Sequence, residues 1–344
     1  MPKDQCRIFR ILDANINRAM EGLRVTEEIS RFVLEDHNLT YGIKELRGEL
    51  SKAVKQLPKD KLLSSRRSLK DVGRSTYSTT ESRRANITEV FRSNIKRTQE
   101  ALRVLEEFSK LDRSLSGANR SLSSPDRRSG RIEMTALPKK FKDLRFQTYE
   151  IEKQLSKLLK LDFDLYMVSD PKYKPIESIR KAIKSGVKIV QLRDKGASKT
   201  EYLRQAKKVR EITKRAGVVF IVNDYVDIAK KVDADGIHLG QDDPPPQKAR
   251  KILGDYKIIG ISTHSMQQAL KAQKDGADYI SVGPIFKTPS KPGVKPLGIS
   301  TVKRIKAKIH VPIVAIGGID RANIGRIHKA GVSRTAGIRA FSTV

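Results

Sequence analysis

From Asp164 onward, short runs of β-branched and other apolar residues alternate with stretches of helical periodicity. This alternation restricts the fold more than any other feature of the chain. The runs fall at 165–169, 188–192, 218–223, 236–239, 258–262, 279–283, 313–316 and 334–339. Successive runs are separated by a dozen or so residues at least, enough for the crossover helix that parallel pairing requires. Eight such units within about 180 residues favour a closed TIM-type (β/α)8 barrel over an open, doubly wound sheet. In a barrel the carboxyl ends of all the strands share one rim, and the loops on that rim carry the chemistry.

The residues assigned to that rim are strongly polar. The third run ends in Asn223-Asp224, and the fourth leads into Gly240-Gln241-Asp242-Asp243. Asp224 and Asp243, nineteen residues apart, could therefore converge on one hard cation. Oxygen ligands without Cys or clustered His suit Mg2+ better than Zn2+. Asp is equally at home as a helix cap, so this spacing leaves both readings open. Elsewhere on the rim stand Gln191-Leu192-Arg193-Asp194-Lys195, Ser262-Thr263-His264-Ser265, Gly283-Pro284-Ile285-Phe286-Lys287-Thr288-Pro289-Ser290-Lys291 and Gly317-Gly318. Cations, hydroxyls and glycine backbone gathered on one edge describe a phosphate-binding surface.

Charge bears on the choice of partner. Seventy Lys and Arg against 39 Asp and Glu leave a formal charge of +31, which favours nucleic acid, an acidic membrane surface or phosphorylated small molecules. A generally basic proteome would give the same balance. Aromatic residues make up 6% of the chain and are not interleaved with the basic ones, so a base-stacking surface is not evident. No apolar run is long enough to span a bilayer, and Met1-Pro2-Lys3 opens no signal-peptide pattern. With a single cysteine, Cys6, these features predict a cytoplasmic protein, for which a homo-oligomer is compatible. Two other classes compete with an enzyme: a basic nucleic-acid-binding protein and an inactive barrel serving as a scaffold. The Asp224/Asp243 pair, sharing its rim with Lys195 and Lys291, argues against both, because neither needs a cation site facing basic residues.

The front of the chain is predicted to be helical and internally repeated. Asn15, Arg18, Glu21, Arg24, Glu27 and Glu28 recur as Asn94, Arg97, Glu100, Arg103, Glu106 and Glu107, each displaced by 79 residues. The copies lie in helices expected over 8–34 and 90–110, with another over 39–57 that stops at Pro58. Two such helices could present their polar residues to a shared ligand or to a partner subunit. The segment 64–84, with Asp71-Val72-Gly73-Arg74-Ser75-Thr76, is a weak phosphate-cradle candidate. Composition then predicts a helical domain over 1–111, a disordered Ser/Arg-rich insertion over 112–140, a connecting helix over 141–160 and the barrel over 161–344. Phe141, Leu144, Tyr149, Ile151 and Leu155 are the expected buried face of the connecting helix.

Taken together, QLRDK at 191–195, IVND at 221–224, ADGIHLGQDD at 234–243, GIS at 260–262, GPIFKTPSK at 283–291 and IGGI at 316–319 resemble the thiamine-phosphate synthase family in order and spacing. The front half resembles the helical domain fused to some of these synthases, which has been associated with phosphorylating hydroxymethylpyrimidine phosphate. The resemblance implies a transferase that joins 4-amino-2-methyl-5-hydroxymethylpyrimidine diphosphate to a thiazole phosphate and releases pyrophosphate. It implies Mg2+ on Asp224 and Asp243. Arg193, Lys195, Ser262 and Lys291 would be catalytic. Gln191, Leu192, Arg193, Asp194, Lys195, Asn223, Ser262 and Lys291 would bind the pyrimidine diphosphate, and Thr288, Pro289, Ser290, Gly318, Ile338 and Arg339 the thiazole phosphate. No covalent nucleophile is required, so His238 and His264 are expected to be structural. The sequence departs from the family in having Arg339 where many members carry a small or hydroxyl residue. It also ends at Val344, too soon after the eighth strand for an eighth helix. The expected consequence is exposure of Ile338 and of strand-one residues such as Leu165 or Met167, with marginal stability or association through that patch, unless the helical domain or the helix over 141–159 covers it.

Overall fold

The computed structural model describes residues 3–67, 84–111, 127–290 and 292–338. Two compact units divide the chain, Met1–Leu159 and Lys160–Val344.

In the first unit, α1 (Lys3–Phe32), α2 (His37–Val54), α3 (Lys59–Ser64), α4 (Ile87–Phe108) and α5 (Arg127–Lys160) share one core. Phe9, Leu12, Ile16, Ala19 and Leu23 recur at helical spacing along α1 and are buried, as are Phe91, Ile95, Leu102 and Leu105 along α4. Side chains set the helix starts. Asp36 accepts the Leu39 N–H at 2.9 Å, and Asn86 accepts the Glu89 N–H at 3.0 Å while Glu89 reaches back to the Ala85 N–H. The helix expected to stop at Pro58 ends at Val54, and Pro58 is the N-cap of the short helix α3, where a missing N–H costs nothing.

The duplicated register has a packing explanation. Asn15 and Asn94 each donate to the carbonyl four residues back in their own helix, at 2.8 Å. Glu27 and Glu106 are buried, and each meets two guanidinium groups. Arg24 and Arg47 stand at 3.4 and 3.2 Å from Glu27, and Arg103 and Arg145 at 2.7 and 2.9 Å from Glu106. Burial alone would raise the Glu106 carboxyl, but hydrogen bonds from Arg145 and Arg103 outweigh it and hold the group below its ordinary value. A carboxylate taken out of water on each copy thus needs the arginine three residues before it, which fixes that part of the repeat. Arg18, Glu21, Arg97 and Glu100 remain exposed.

Two expectations for this unit change. The helix predicted over 141–160 begins at Arg127, so the proposed insertion is helical from there; residues 112–126 lie outside the described residues, as do 68–83 with the Asp71–Thr76 stretch. Leu137 is buried in the unit's core, and Pro138 sits inside the helix, where its sequence signal reads as a break. Tyr149 is only partly buried. The inward face runs Phe141, Leu144, Thr148, Ile151 and Leu155, a phase that turns Tyr149 aside to accept a hydrogen bond from Arg145 at 2.8 Å.

The second unit is a closed parallel barrel of eight strands in sequence order: β1 (Leu165–Val168), β2 (Ile189–Leu192), β3 (Val219–Asn223), β4 (Gly236–Leu239), β5 (Ile258–Thr263), β6 (Tyr279–Val282), β7 (Ile313–Ile316) and β8 (Arg334–Gly337). Helices α6 (Pro175–Lys184), α7 (Lys199–Ala216), α8 (Val226–Lys231), α9 (Pro246–Leu253), α10 (Met266–Lys274), α11 (Gly298–Lys306) and α12 (Ile324–His328) connect them. Side chains alternate along each strand. Tyr166, Val168, Ile189, Ile221, Ile258, Tyr279 and Val314 fill one cluster, while Met167, Val190, Leu192, Phe220 and Ile259 join the cluster shared with the helices. Closure is made by β8 against β1, with Leu165 opposite Thr335 and Met167 opposite Gly337. Of the three residues expected to be uncovered beside β8, Leu165 is 39% exposed and Ile338 partly buried, but Met167 is buried among residues that include Ile179 and Ala182 of α6. Among the described residues no helix is long and apolar enough to cross a membrane.

Gly22 marks the closest approach of α1 to α4. A Cβ there would stand 2.2 Å from the Thr98 hydroxyl and 2.6 Å from the Asn94 carbonyl oxygen, and the backbone atom cannot rotate away. Gly22→Ala is expected to force the two helices apart and to destabilise the first unit by about 1–3 kcal/mol. Urea denaturation followed by circular dichroism checks this, and an unchanged midpoint would contradict it.

Candidate active site

Polar side chains from β2 to β6 meet at the carboxyl end of the barrel. On β2, alternation sends Gln191 inward, where its Nε2 donates to Tyr166 Oη at 2.8 Å, and sends Leu192 outward into the helix-facing cluster. Leu192 can therefore offer a ligand only its backbone, and its carbonyl already accepts from Tyr202 Oη at 2.5 Å. The next residues form the β2–α7 loop. Ser169 braces it by accepting the Arg193 N–H at 2.8 Å. Asp194 is buried with one oxygen on the Gly196 and Ala197 N–H groups and the other on Gln205, so it shapes the loop and does not face the rim. Arg193 is partly buried and Lys195 exposed.

Asn223 and Asp224 close β3. Tyr202 of α7 ties this strand end to that of β2, because its phenol donates to Leu192 O and accepts the Asn223 N–H at 3.0 Å. Asp224 donates its N–H to His238 O at 2.9 Å and then turns to φ +63°, a left-handed conformation that Asp tolerates better than most residues. Across from it, Asp243 accepts the Gly240 N–H at 2.6 Å, which curls the 240–243 loop back so that Asp243 comes within hydrogen-bond reach of Asp224. Lys195 Nζ lies 3.8 Å from Asp224. Burial first, and then the neighbouring Asp243, push the Asp224 carboxyl up to about 6, against the pull of Lys195 and Arg193. Two carboxylates crowded in this way could hold a hard divalent cation whose other ligands are water and phosphate oxygens. Among the described residues no cluster of three or more His, Cys, Asp or Glu has metal-binding geometry.

Inside the barrel mouth, His238 Nδ1 lies 2.8 Å from Tyr279 Oη, and its Nε2 lies 2.9 Å from Ser262 Oγ and 3.3 Å from Ser281 Oγ. Tyr279 Oη in turn meets Tyr166 Oη at 3.0 Å. His264 bonds through Nδ1 to the Gly283 carbonyl. Both histidines are thus held in hydrogen-bonded frames. Tyr166, Tyr279, Ser169 and Ser281 were not singled out by sequence reasoning, since a tyrosine or serine within a strand reads as ordinary core.

The far side of the rim is backbone. Phe286 N–H donates to Gly317 O at 3.0 Å, and Leu297 N–H to Pro284 O at 2.8 Å, which ties the 284–297 loop across the end of β7. Gly317 and Gly318 adopt φ of +96° and +67°, and a Cβ on Gly318 would stand 2.5 Å from Lys287 O, so only glycine fits. Asn323 Nδ2 fixes the Gly318 carbonyl at 2.8 Å. Thr288 is partly buried on this loop, Pro289 and Ser290 are exposed, and Ile338 is partly buried at the end of β8. Lys291 and Arg339 lie outside the described residues.

Residues 165–341 match the family described as Thiamine monophosphate synthase. A relative from Synechocystis sp., named thiamine-phosphate synthase, is 40% identical over 97% of this chain and 91% of its own length. The chain belongs to the thiamine-phosphate synthase family. A second relative of that name, from Nostoc punctiforme, is 38% identical over 97% of this chain and 89% of its own. Among solved structures, a thiamine phosphate pyrophosphorylase from Pyrococcus furiosus superposes with a TM-score of 0.50 and 36% identity, covering 54% of this chain and 90% of that one. Residues 10–123 match the ThiD2 family. The match to the synthase family thus falls on the barrel, and the ThiD2 match falls mostly on the helical unit.

The raised Asp224 carboxyl sets a pH dependence. Its folded pKa of about 6 exceeds the value near 4 of an unfolded Asp, so its proton favours the folded state. That contribution is full below about pH 4 and is lost as pH rises through about 6. Asp243→Asn removes the neighbouring charge while keeping an oxygen for the Gly240 N–H. In cation-free buffer the variant is expected to melt above the parent chain at about pH 7, with the difference vanishing near pH 4. Scanning calorimetry across that range tests it; a difference independent of pH would show that the two carboxylates do not interact.

Proposed function

We propose that the barrel condenses 4-amino-2-methyl-5-hydroxymethylpyrimidine diphosphate with 4-methyl-5-(2-phosphoethyl)thiazole, giving thiamine phosphate and pyrophosphate. The observation that carries this reading is the juxtaposition on one rim of a crowded carboxylate pair, Asp224 and Asp243, with the cations Lys195 and Arg193. That arrangement suits a diphosphate that arrives with a divalent cation.

Loss of pyrophosphate from a benzylic-type carbon on an electron-rich pyrimidine is dissociative. The C–O bond breaks with its electron pair leaving on pyrophosphate, and the thiazole nitrogen forms the new C–N bond. Catalysis is then mainly charge stabilisation and positioning. Arg193 and Lys195, with Lys291, would hold the diphosphate oxygens as negative charge grows on them. Gln191 and Asn223 would orient the pyrimidine, and Ser262 would bond to it from β5. Leu192 and Asp194 would contribute through the shape of their loop. Asp224 and Asp243 would hold Mg2+, which when bound supplies positive charge against the departing pyrophosphate. On the opposite side Thr288, Pro289, Ser290 and Gly318, with Ile338 and Arg339, would seat the thiazole phosphate, where the left-handed glycines would offer backbone N–H groups to an anion. Small phosphorylated substrates of this kind also account for basic residues on the rim without nucleic acid.

A second reading concerns the helical unit. Its match to the ThiD2 family supports ATP-dependent phosphorylation of hydroxymethylpyrimidine phosphate, which would supply the barrel's substrate. Incubating the full chain with ATP and that monophosphate, and assaying for the diphosphate, tests this reading; no product from a folded sample would remove it.

For the barrel, the decisive assay measures thiamine phosphate from the two purified substrates with Mg2+. Asp243→Asn is expected to lower kcat by about a hundredfold or more, because the diphosphate charge is no longer offset. A normal rate for the variant at limiting Mg2+ would take Asp243 out of the metal site.

A further inference from the structure

Five side chains from β1, β2, β4, β5 and β6 form one hydrogen-bonded line through the barrel interior. It runs from Gln191 Nε2 to Tyr166 Oη at 2.8 Å, to Tyr279 Oη at 3.0 Å, to His238 Nδ1 at 2.8 Å, and from His238 Nε2 to Ser262 Oγ at 2.9 Å. Both ends belong to the rim. Tyr166 (1% exposed), Tyr279 (0%) and His238 (6%) are buried, as is Gln191 (3%) next to the end of β2, and Ser262 is partly buried at the end of β5. Room for the Tyr279 ring is made by Gly260, where a Cβ would stand 2.0 Å from the ring.

Such a line has a direction. Each contact holds one hydrogen, and the amide nitrogen of Gln191 can only donate. Tyr166 Oη therefore accepts from Gln191 and spends its own hydrogen on Tyr279. Tyr279 then donates to His238 Nδ1, which leaves the imidazole hydrogen on Nε2, where Ser262 Oγ at 2.9 Å is a nearer acceptor than Ser281 Oγ at 3.3 Å. Ser262, already accepting, has its own hydrogen left for the rim. Burial pushes both phenols well above their ordinary pKa, so both keep the hydrogens this order requires. For a neutral imidazole the only other consistent order reverses every bond together with the Gln191 amide. Between two buried tyrosines a half-reversed line leaves a contact with two hydrogens or none, at the full cost of an unsatisfied polar group.

We propose that this relay makes Tyr166, Tyr279 and His238 positioning residues that fix Gln191 as a hydrogen-bond acceptor and Ser262 as a donor toward the substrate, and so select an aminopyrimidine over its oxo counterpart. The exocyclic amine of an aminopyrimidine supplies the N–H that the Gln191 carbonyl oxygen needs. A ring nitrogen or phosphate oxygen accepts from Ser262. An oxo group in place of the amine offers only lone pairs to Gln191, and accommodating it means reversing the whole line. The selection rests on the barrel using the aminopyrimidine diphosphate proposed above, whereas the direction of the relay does not.

Two measurements on the full chain test it. Histidine-selective 15N NMR reads the tautomer directly, and with five histidines in the chain a single His238→Gln variant assigns the signal. The expected result is an Nε2–H tautomer for His238; an Nδ1–H tautomer overturns the proposed direction. In the second, kcat/KM is compared for the aminopyrimidine diphosphate and its 4-oxo analogue in the parent chain, Tyr166→Phe and Tyr279→Phe. Cutting the line frees the Gln191 amide to turn, so the preference for the amine is expected to fall by about tenfold or more in each variant. Equal losses on both substrates, leaving the ratio unmoved, would reduce the tyrosines to packing and overturn the proposal. If a variant does not fold, the tautomer of the parent chain still decides. A parent chain that makes no thiamine phosphate would defeat the functional reading while leaving the NMR result interpretable.

Discussion

Pairing of β8 with β1 is the contact on which the second unit depends. It joins residues about 170 positions apart in sequence, and with it the sheet has no free edge. Closure brings the end of every strand onto one circle, so that Gly318 after β7 shares a rim with Gln191, Asp224, Asp243 and Ser262. It also encloses the interior in which Tyr166 and Tyr279 can meet. In an open sheet β1 and β6 would be separated by the strands between them, and a bond between those two phenols would have no place.

The helical unit solves a different problem. Its helices are long and highly charged, and the duplicated carboxylates Glu27 and Glu106 fall on the buried side. Each is neutralised by one arginine from its own helix and another from a packed neighbour, Arg47 of α2 for Glu27 and Arg145 of α5 for Glu106. Breaking such a pair strands a charge in the core, so these contacts fix which helix faces which more than they add net stability.

Much of the barrel was legible because strand and helix have different periods and eight alternations leave few topologies. The carboxylate pair was also legible, since strand ends share a rim. Alternation explains where motif reading overreached: in Gln191-Leu192-Arg193-Asp194-Lys195, successive side chains cannot all face one ligand. Leu192 goes to the helices, and Asp194 is consumed by its own loop. The interior relay was not legible, because Tyr166 and Tyr279 lie 113 residues apart and each satisfies a strand pattern by itself. Tyr149 was misplaced by one position of helical phase, and the start of α5 was hidden by Pro138 and a Ser/Arg-rich composition.

Tyr202 acts on the active site from outside it. Its phenol joins the end of β2, which carries Arg193 and Lys195, to the end of β3, which carries Asp224. A single hydroxyl thereby bridges the roots of the cationic and the anionic loops of the rim, and it is mounted on α7 rather than on a strand. The helix is thereby anchored where the two paired strands part into their loops, so packing on the outside of the barrel bears directly on the place in which a diphosphate and its counter-ion would have to fit.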